Sequence, residues 1–146
     1  MAIENEGACV LGTTERIPEL LEAVGSPSVR AIWDPANGAH DGELPYPTAF
    51  ERIVPWAVHV HLKDGQHVAG RWEQRVVGEG EVGLLAISRG LVSSGYEGWV
   101  ALETHYRPRA IGADFSRPSG EAFSELGEEG TYACLKGWER VLQAAG

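Results

Sequence analysis

The sequence predicts an α/β fold of parallel strands with outer helices, and three observations predict it. Short apolar runs alternate with helical patterns four times along the chain. Regular alternation of this kind means parallel strands joined by right-handed crossovers. Each run also stops at or near a residue able to hold a cation: Ala2-Ile3-Glu4, Val29 to Asp34, Val58 to Asp64 with His61 inside it, and Gly98 to Glu103. In a barrel of βα units the C-terminal strand ends form the active face. No GxGxxG or P-loop pattern follows any of the runs, which argues against a nucleotide-binding doubly wound sheet.

Taken in order, Ala2 to Asn5 reads as a short strand that begins almost at Met1, as if the chain started inside a sheet. Thr13 or Thr14 is a candidate cap for a helix with Arg16, Ile17, Leu20, Leu21 and Val24 at helical spacing, closed by Gly25-Ser26-Pro27. Val29 to Trp33 is the second strand. Pro35 pushes Asp34 towards an extended backbone. Ala36 to Pro47 reads as a loop over the strand ends, and Thr48 as the cap of a helix to about Trp56, weakened by Pro55. Val58 to Lys63 is the third strand, and 64 to 82 a long glycine-containing loop. Gly83 to Ser94 is a helix, Trp99 to Thr104 the fourth strand, and Pro108 to Pro118 irregular. Ser119 to Ala145 reads as helix, interrupted near Gly127 to Gly130, with Tyr132, Leu135, Trp138, Val141 and Leu142 apolar.

Composition bounds the function. The 146 residues suggest one domain with a real core, since 43% are hydrophobic. A net charge of −9 without Lys/Arg clusters argues against a nucleic-acid surface. No apolar run is long enough for a membrane span, and the N-terminus lacks the apolar core of a signal peptide. Cys9 and Cys134 stand far apart outside any CxxC pattern, which fits reduced thiols and a cytoplasmic setting.

Glu4, Asp34, His61 and Glu103 offer three carboxylates and one imidazole. Such an oxygen-rich set suits Mn²⁺ first, with Mg²⁺ and Co²⁺ compatible. Singly, a carboxylate at a strand end is most often a solvated loop residue or a helix cap, and a lone His a packed side chain. Four successive strands each delivering a ligand type shift the balance to a metal site. Glu6 shares a face with Glu4, and His59 with His61. His61, nearer the C-terminal end, is the expected ligand, with His59 lower down and hydrogen-bonded. Asp64 orients a neighbour or starts a turn, and His105 shares the face of Glu103. A divalent ion holding a carbonyl and an adjacent hydroxyl would acidify the carbon between them. Glu4 and Glu103, on the first and last strands, are the candidate pair to move that proton through an enediolate.

The stretches Ile3-Glu4-Asn5-Glu6, Ile32-Trp33-Asp34-Pro35-Ala36-Asn37, His59-Val60-His61-Leu62-Lys63-Asp64, Gly78-Glu79-Gly80 and Leu102-Glu103-Thr104-His105 together resemble the sugar phosphate isomerase/epimerase superfamily of xylose-isomerase-like TIM barrels. The resemblance implies one divalent ion on Glu4, Asp34, His61 and Glu103, with Glu4 and Glu103 as the proton-transfer pair. It also implies a small-molecule sugar or sugar phosphate as substrate. An inosose-type dehydratase of the same superfamily uses the same proton abstraction and stays open as an alternative.

There are departures. Many members carry Asp-x-x-His where this chain has Asn37, which leaves Asn37 as a substrate hydrogen bonder. Arg71 and Arg75 are candidate substrate contacts in the following loop, and His105 another. The endonuclease branch carries extra His and Asp ligands that this chain lacks, which with its acidity counts against DNA as substrate. A full barrel runs to about 250 residues. The resemblance covers only the C-terminal half, the last four βα units, as a single half-barrel domain over residues 1–146 and a fragment of a longer barrel. Its two open parallel edges call for a missing N-terminal half or a homodimer. A non-catalytic half-barrel that binds metal or a partner chain is the reading from a different class.

Overall fold

The computed structural model describes residues 1–7, 9–109 and 126–146. Four strands form one parallel sheet in the order β1, β2, β3, β6: β1 is Ala2–Glu4, β2 Arg30–Trp33, β3 Ala57–Leu62 and β6 Trp99–Leu102. The helices are α1 (Ile17–Val24), α2 (Pro35–His40), α3 (Phe50–Ile53), α4 (Leu84–Ser93) and α5 (Gly127–Ala145). The chain is thus α/β with a parallel sheet, and its length is that of a partial barrel. No helix among the described residues is long and apolar enough to cross a membrane.

Strand alternation divides the sheet into two faces. Ala31, Trp33, Val60 and Leu62 point into the core, where they meet Ile17, Leu21, Ile53, Leu84 and Ile87. The paired registers Glu4↔Ile32, Ile32↔His59 and His61↔Ala101 put Glu4, Asp34, His61 and Glu103 on the opposite face. The hydrogen bond from Glu103 N to Leu62 O at 2.9 Å carries the last ladder one residue past β6.

Several elements differ from expectation. The helix α1 begins after Arg16 without a side-chain cap, because Thr14 is engaged elsewhere. Its hydroxyl donates to Glu43 Oε1 at 2.5 Å, and the Arg52 guanidinium reaches the same oxygen at 2.8 Å. Leu20 and Val24 are exposed, so α1 buries only Ile17 and Leu21. The expected loop after Asp34 opens with helix α2, for which Asp34 is the cap and Pro35 the first residue. Thr48 is not a cap. A wide turn over Pro45–Ala49 runs into α3, which ends at Ile53, two residues before Pro55.

The expected loop after the third strand contains an antiparallel hairpin, β4 (Asp64–Val68) and β5 (Arg71–Arg75). Its turn residues Ala69 and Gly70 both have positive φ, as the tight hairpin turn requires.

In α5 the buried residues are Gly130, Cys134, Gly137 and Val141, while Tyr132, Leu135 and Leu142 are exposed. The helix therefore packs through a stripe of mostly small residues. At Gly137 a side chain would strike the Val77 carbonyl, and at Gly130 the Tyr106 carbonyl. The helix expected from Ser119 begins, within the described residues, at Gly127; 119–125 and most of the stretch expected to be irregular, Pro108 to Pro118, lie outside them.

Candidate metal centre

The four expected ligands converge. One ligand atom from each of Glu4, Asp34, His61 and Glu103 lies within 4.8 Å of all the others. Atoms that share one divalent ion at about 2.1 Å are at most about 4.2 Å apart, so the set is close to closing around an ion. His61 Nδ1 is 2.9 Å from Glu4 Oε1, 3.6 Å from Glu103 Oε2 and 3.9 Å from Asp34 Oδ2.

Each ligand is positioned by its strand end. Asp34 is fully buried, and its backbone is held from both sides by Asn5: Asp34 N donates to Asn5 Oδ1 at 2.8 Å and Asn5 Nδ2 donates to Asp34 O at 2.7 Å. Asp34 Oδ1 caps α2, accepting from Ala36 N and Asn37 N at 2.9 Å each. That leaves Oδ2. No aligned hydrogen-bond donor reaches it among the described residues, and its close contact, Lys63 Nζ at 2.8 Å, is an ion pair. A buried carboxylate oxygen whose close partner is a cation marks a position that favours positive charge. The donor set therefore fits a divalent ion.

Lys63 is the residue that sequence reasoning missed. It stands two places after His61, on the same face, and its side chain is buried. Its ammonium bridges Asp34 Oδ2 at 2.8 Å and Glu103 Oε2 at 2.7 Å. Counting the period-2 face onward from His59 and His61 would have found it. Burial pushes the Asp34 carboxyl up to about 6, with the Lys63 ammonium opposing the shift. Glu103 moves the other way: the His105 ring 3.6 Å away and the Lys63 ammonium hold it well below the usual carboxylate range.

The remaining candidates divide. Glu6 is exposed and accepts from Asn37 Nδ2 at 3.4 Å, so Glu4 is the residue of the pair that joins the cluster. Asn37 also donates to Asn5 O at 2.8 Å. His59 stacks edge-on against His61 with ring centroids 4.9 Å apart. Contrary to expectation, no hydrogen-bond partner reaches its buried Nε2 among the described residues, because the flanking strand positions are apolar. Asn37, Lys63, Trp72, Gln74 and His105 line a cleft of about 230 Å³ beside the cluster. Arg71 is not among the residues lining it; it is exposed at the start of β5, next to the hairpin turn. Arg75 bonds Glu73 Oε2 at 2.7 Å. Asp64 both starts a strand and organises its neighbours. Its Oδ1 accepts from Gly65 N and Val82 N, and its Oδ2 from Gly78 N and Gly80 N.

Comparison with known proteins bears on the fold. The IOLI protein, solved with a zinc atom, superposes with a TM-score of 0.68 at 17% identity, over 99% of this chain and 49% of that one. A xylose isomerase-like TIM barrel protein from Mycobacterium smegmatis, solved with magnesium, gives 0.66 at 16% identity, over 99% and 43%. D-Psicose 3-epimerase from Clostridium cellulolyticum H10, solved with D-tagatose, gives 0.64 at 18% identity, over 94% and 48%. At such identities the likeness is one of fold. This chain spans less than half the length of each of the three. A comparison with curated protein sequences finds no match. The family model described as xylose isomerase-like TIM barrel matches residues 1–126. The chain belongs to the xylose isomerase-like TIM barrel family.

Proposed function

We propose that this chain carries the metal-binding half of a divalent-metal-dependent isomerase or epimerase acting on a sugar or sugar phosphate. The observation that supports it most is the convergence of Glu4, Asp34, His61 and Glu103 at the C-terminal strand ends, with Asp34 Oδ2 facing His61. These four would hold the ion, Mn²⁺ by preference. A bound divalent ion would polarise the substrate carbonyl and its neighbouring hydroxyl.

The residues of the chain account for the rest. Glu4 and Glu103 come from the two outer strands of the sheet, β1 and β6, and approach the cluster from opposite sides. One would take the proton from the carbon next to the carbonyl and the other return it. Glu103 is held ionised by His105 and Lys63, and loosening those contacts would raise its basicity towards what proton abstraction needs. Asn37 and His105 line the adjoining cleft and would contact substrate hydroxyls. The unpaired edges of β1 and β6 need covering, and Trp99, Val100 and Val92 are exposed beside β6. Four further βα units, in the same polypeptide or in a partner chain, would close the sheet.

The test is solvent exchange. The intact protein with Mn²⁺ and a panel of ketoses and ketose phosphates in D₂O should incorporate deuterium at the carbon beside the carbonyl. Exchange should stop with EDTA. An intact protein that binds no divalent ion would remove the reading. Loss of water to an enone without epimer formation would convert it to the dehydratase alternative.

A further inference from the structure

The Lys63 ammonium and the candidate ion address the same atoms. His61 Nδ1 faces three oxygens: Glu4 Oε1, Asp34 Oδ2 and Glu103 Oε2. Lys63 Nζ is 2.8 Å from the second and 2.7 Å from the third. Three carboxylates brought this close repel one another, and Asp34 is wholly buried. A cation among them is needed for the strand ends to keep this arrangement. Lys63 supplies one from within the chain, on a side chain with 6% of its surface exposed. Lys63 also lines the cleft that holds Asn37, Trp72 and His105, so there is open space beside the cluster.

We propose that Lys63 is a resident counter-cation of the centre, a positioning residue that holds Asp34 and Glu103 in place and must give up at least one of their oxygens when a divalent ion binds. The inference rests on the metal reading above. It adds that ion affinity is set by competition with a residue of the chain's own. Two cations sharing the same oxygens are negatively linked, so removing one strengthens the other. A lysine with a merely structural role would lower stability and ion affinity together. A competing lysine moves them in opposite directions.

Lys63→Met in the intact protein is the test, with Mn²⁺ affinity read by calorimetry and stability by thermal unfolding in EDTA. The variant should unfold at a lower temperature in EDTA and bind Mn²⁺ about tenfold more tightly or better than wild type. Lys63→Arg, which keeps a cation, should not show the gain. Equal or weaker Mn²⁺ binding by Lys63→Met overturns the proposal while leaving the metal site standing. Absence of Mn²⁺ binding in wild type overturns both. A crystal structure of the wild-type protein with Mn²⁺ needs no variant to fold. It should show Nζ withdrawn from Asp34 Oδ2 or Glu103 Oε2, and an ammonium still bonded to both beside a coordinated ion overturns the proposal.

Discussion

Asp34 and Asp64 follow two neighbouring strands, β2 and β3, and both are buried. They do different things. Asp64 spends both oxygens on four backbone N–H groups, from Gly65, Gly78, Gly80 and Val82, and so ties the start of the hairpin to the loop ahead of α4. Asp34 spends one oxygen on two N–H groups at the start of α2 and sets the other against the Lys63 ammonium at 2.8 Å. Burial raises the proton affinity of both carboxyls. The difference is thus in what the oxygens meet rather than in burial or in position on a strand end. A carboxylate saturated by backbone N–H groups organises backbone, and one with an oxygen turned to a side-chain cation can exchange that cation for another.

The largest expected effects break the comparison at the Asp34 end. Asp34→Asn should keep the helix cap and lose divalent-ion binding by more than the roughly 10–100-fold cost of losing an outer partner; calorimetric titration checks it. Glu103→Gln in the intact enzyme should lower turnover by about 10²–10⁴-fold with the circular dichroism spectrum unchanged. Wild-type turnover there would refute a two-glutamate mechanism. His61→Ala that still bound the ion tightly would remove His61 from the ligand set.

At the Asp64 end the effect should fall on stability. Asp64→Asn turns an amide donor towards backbone N–H groups and should cost about 1.5–3 kcal/mol in denaturant unfolding. Its effect on ion affinity should stay well below that of Asp34→Asn, and equal losses would mean that the two carboxylates do not differ in role. Gly137→Ala drives a methyl into the Val77 carbonyl, next to the loop that Asp64 organises. It should cost about 1–3 kcal/mol by the same measurement, without touching ion affinity.

The smallest effect is in pH. Glu103 is held below its ordinary value of 4.5, so its contribution to stability is complete above that pH and lost as pH falls below it. Glu103→Gln should therefore flatten the acid limb of the unfolding curve in EDTA. An unchanged acid limb would mean that His105 and Lys63 do not favour the Glu103 carboxylate.

The four parallel strands and the four candidate ligands were legible because strand alternation is strictly two-fold. An apolar run that ends on Glu4, Asp34, His61 or Glu103 states both the strand and the face. The hairpin of β4 and β5 was hidden for a local reason. Its turn is Ala69-Gly70, and alanine seldom takes the positive φ found there, so the usual residue at the first turn position is missing. Helix α2 was masked by Asn37 and Gly38, although Asp34-Pro35 is a regular cap and first-turn pair. In α5 Tyr132, Leu135 and Leu142 stand exposed, while Gly130 and Gly137 pack with Cys134 and Val141. Helix periodicity finds the larger side chains, but close approach to a carbonyl selects the absence of one.

By itself, the sequence determined the strand order in outline, the residue types at the strand ends and the family resemblance, because these depend on local periodicity and on motifs read in order. Only the tertiary structure decided which polar groups were already spent. Asn5 locking the Asp34 backbone, Asp64 saturated by the glycine loop and Lys63 lying between Asp34 and Glu103 all join residues far apart in the chain. The number of donors and cations around a carboxylate is a property of what packs against it, and no period along the chain encodes that.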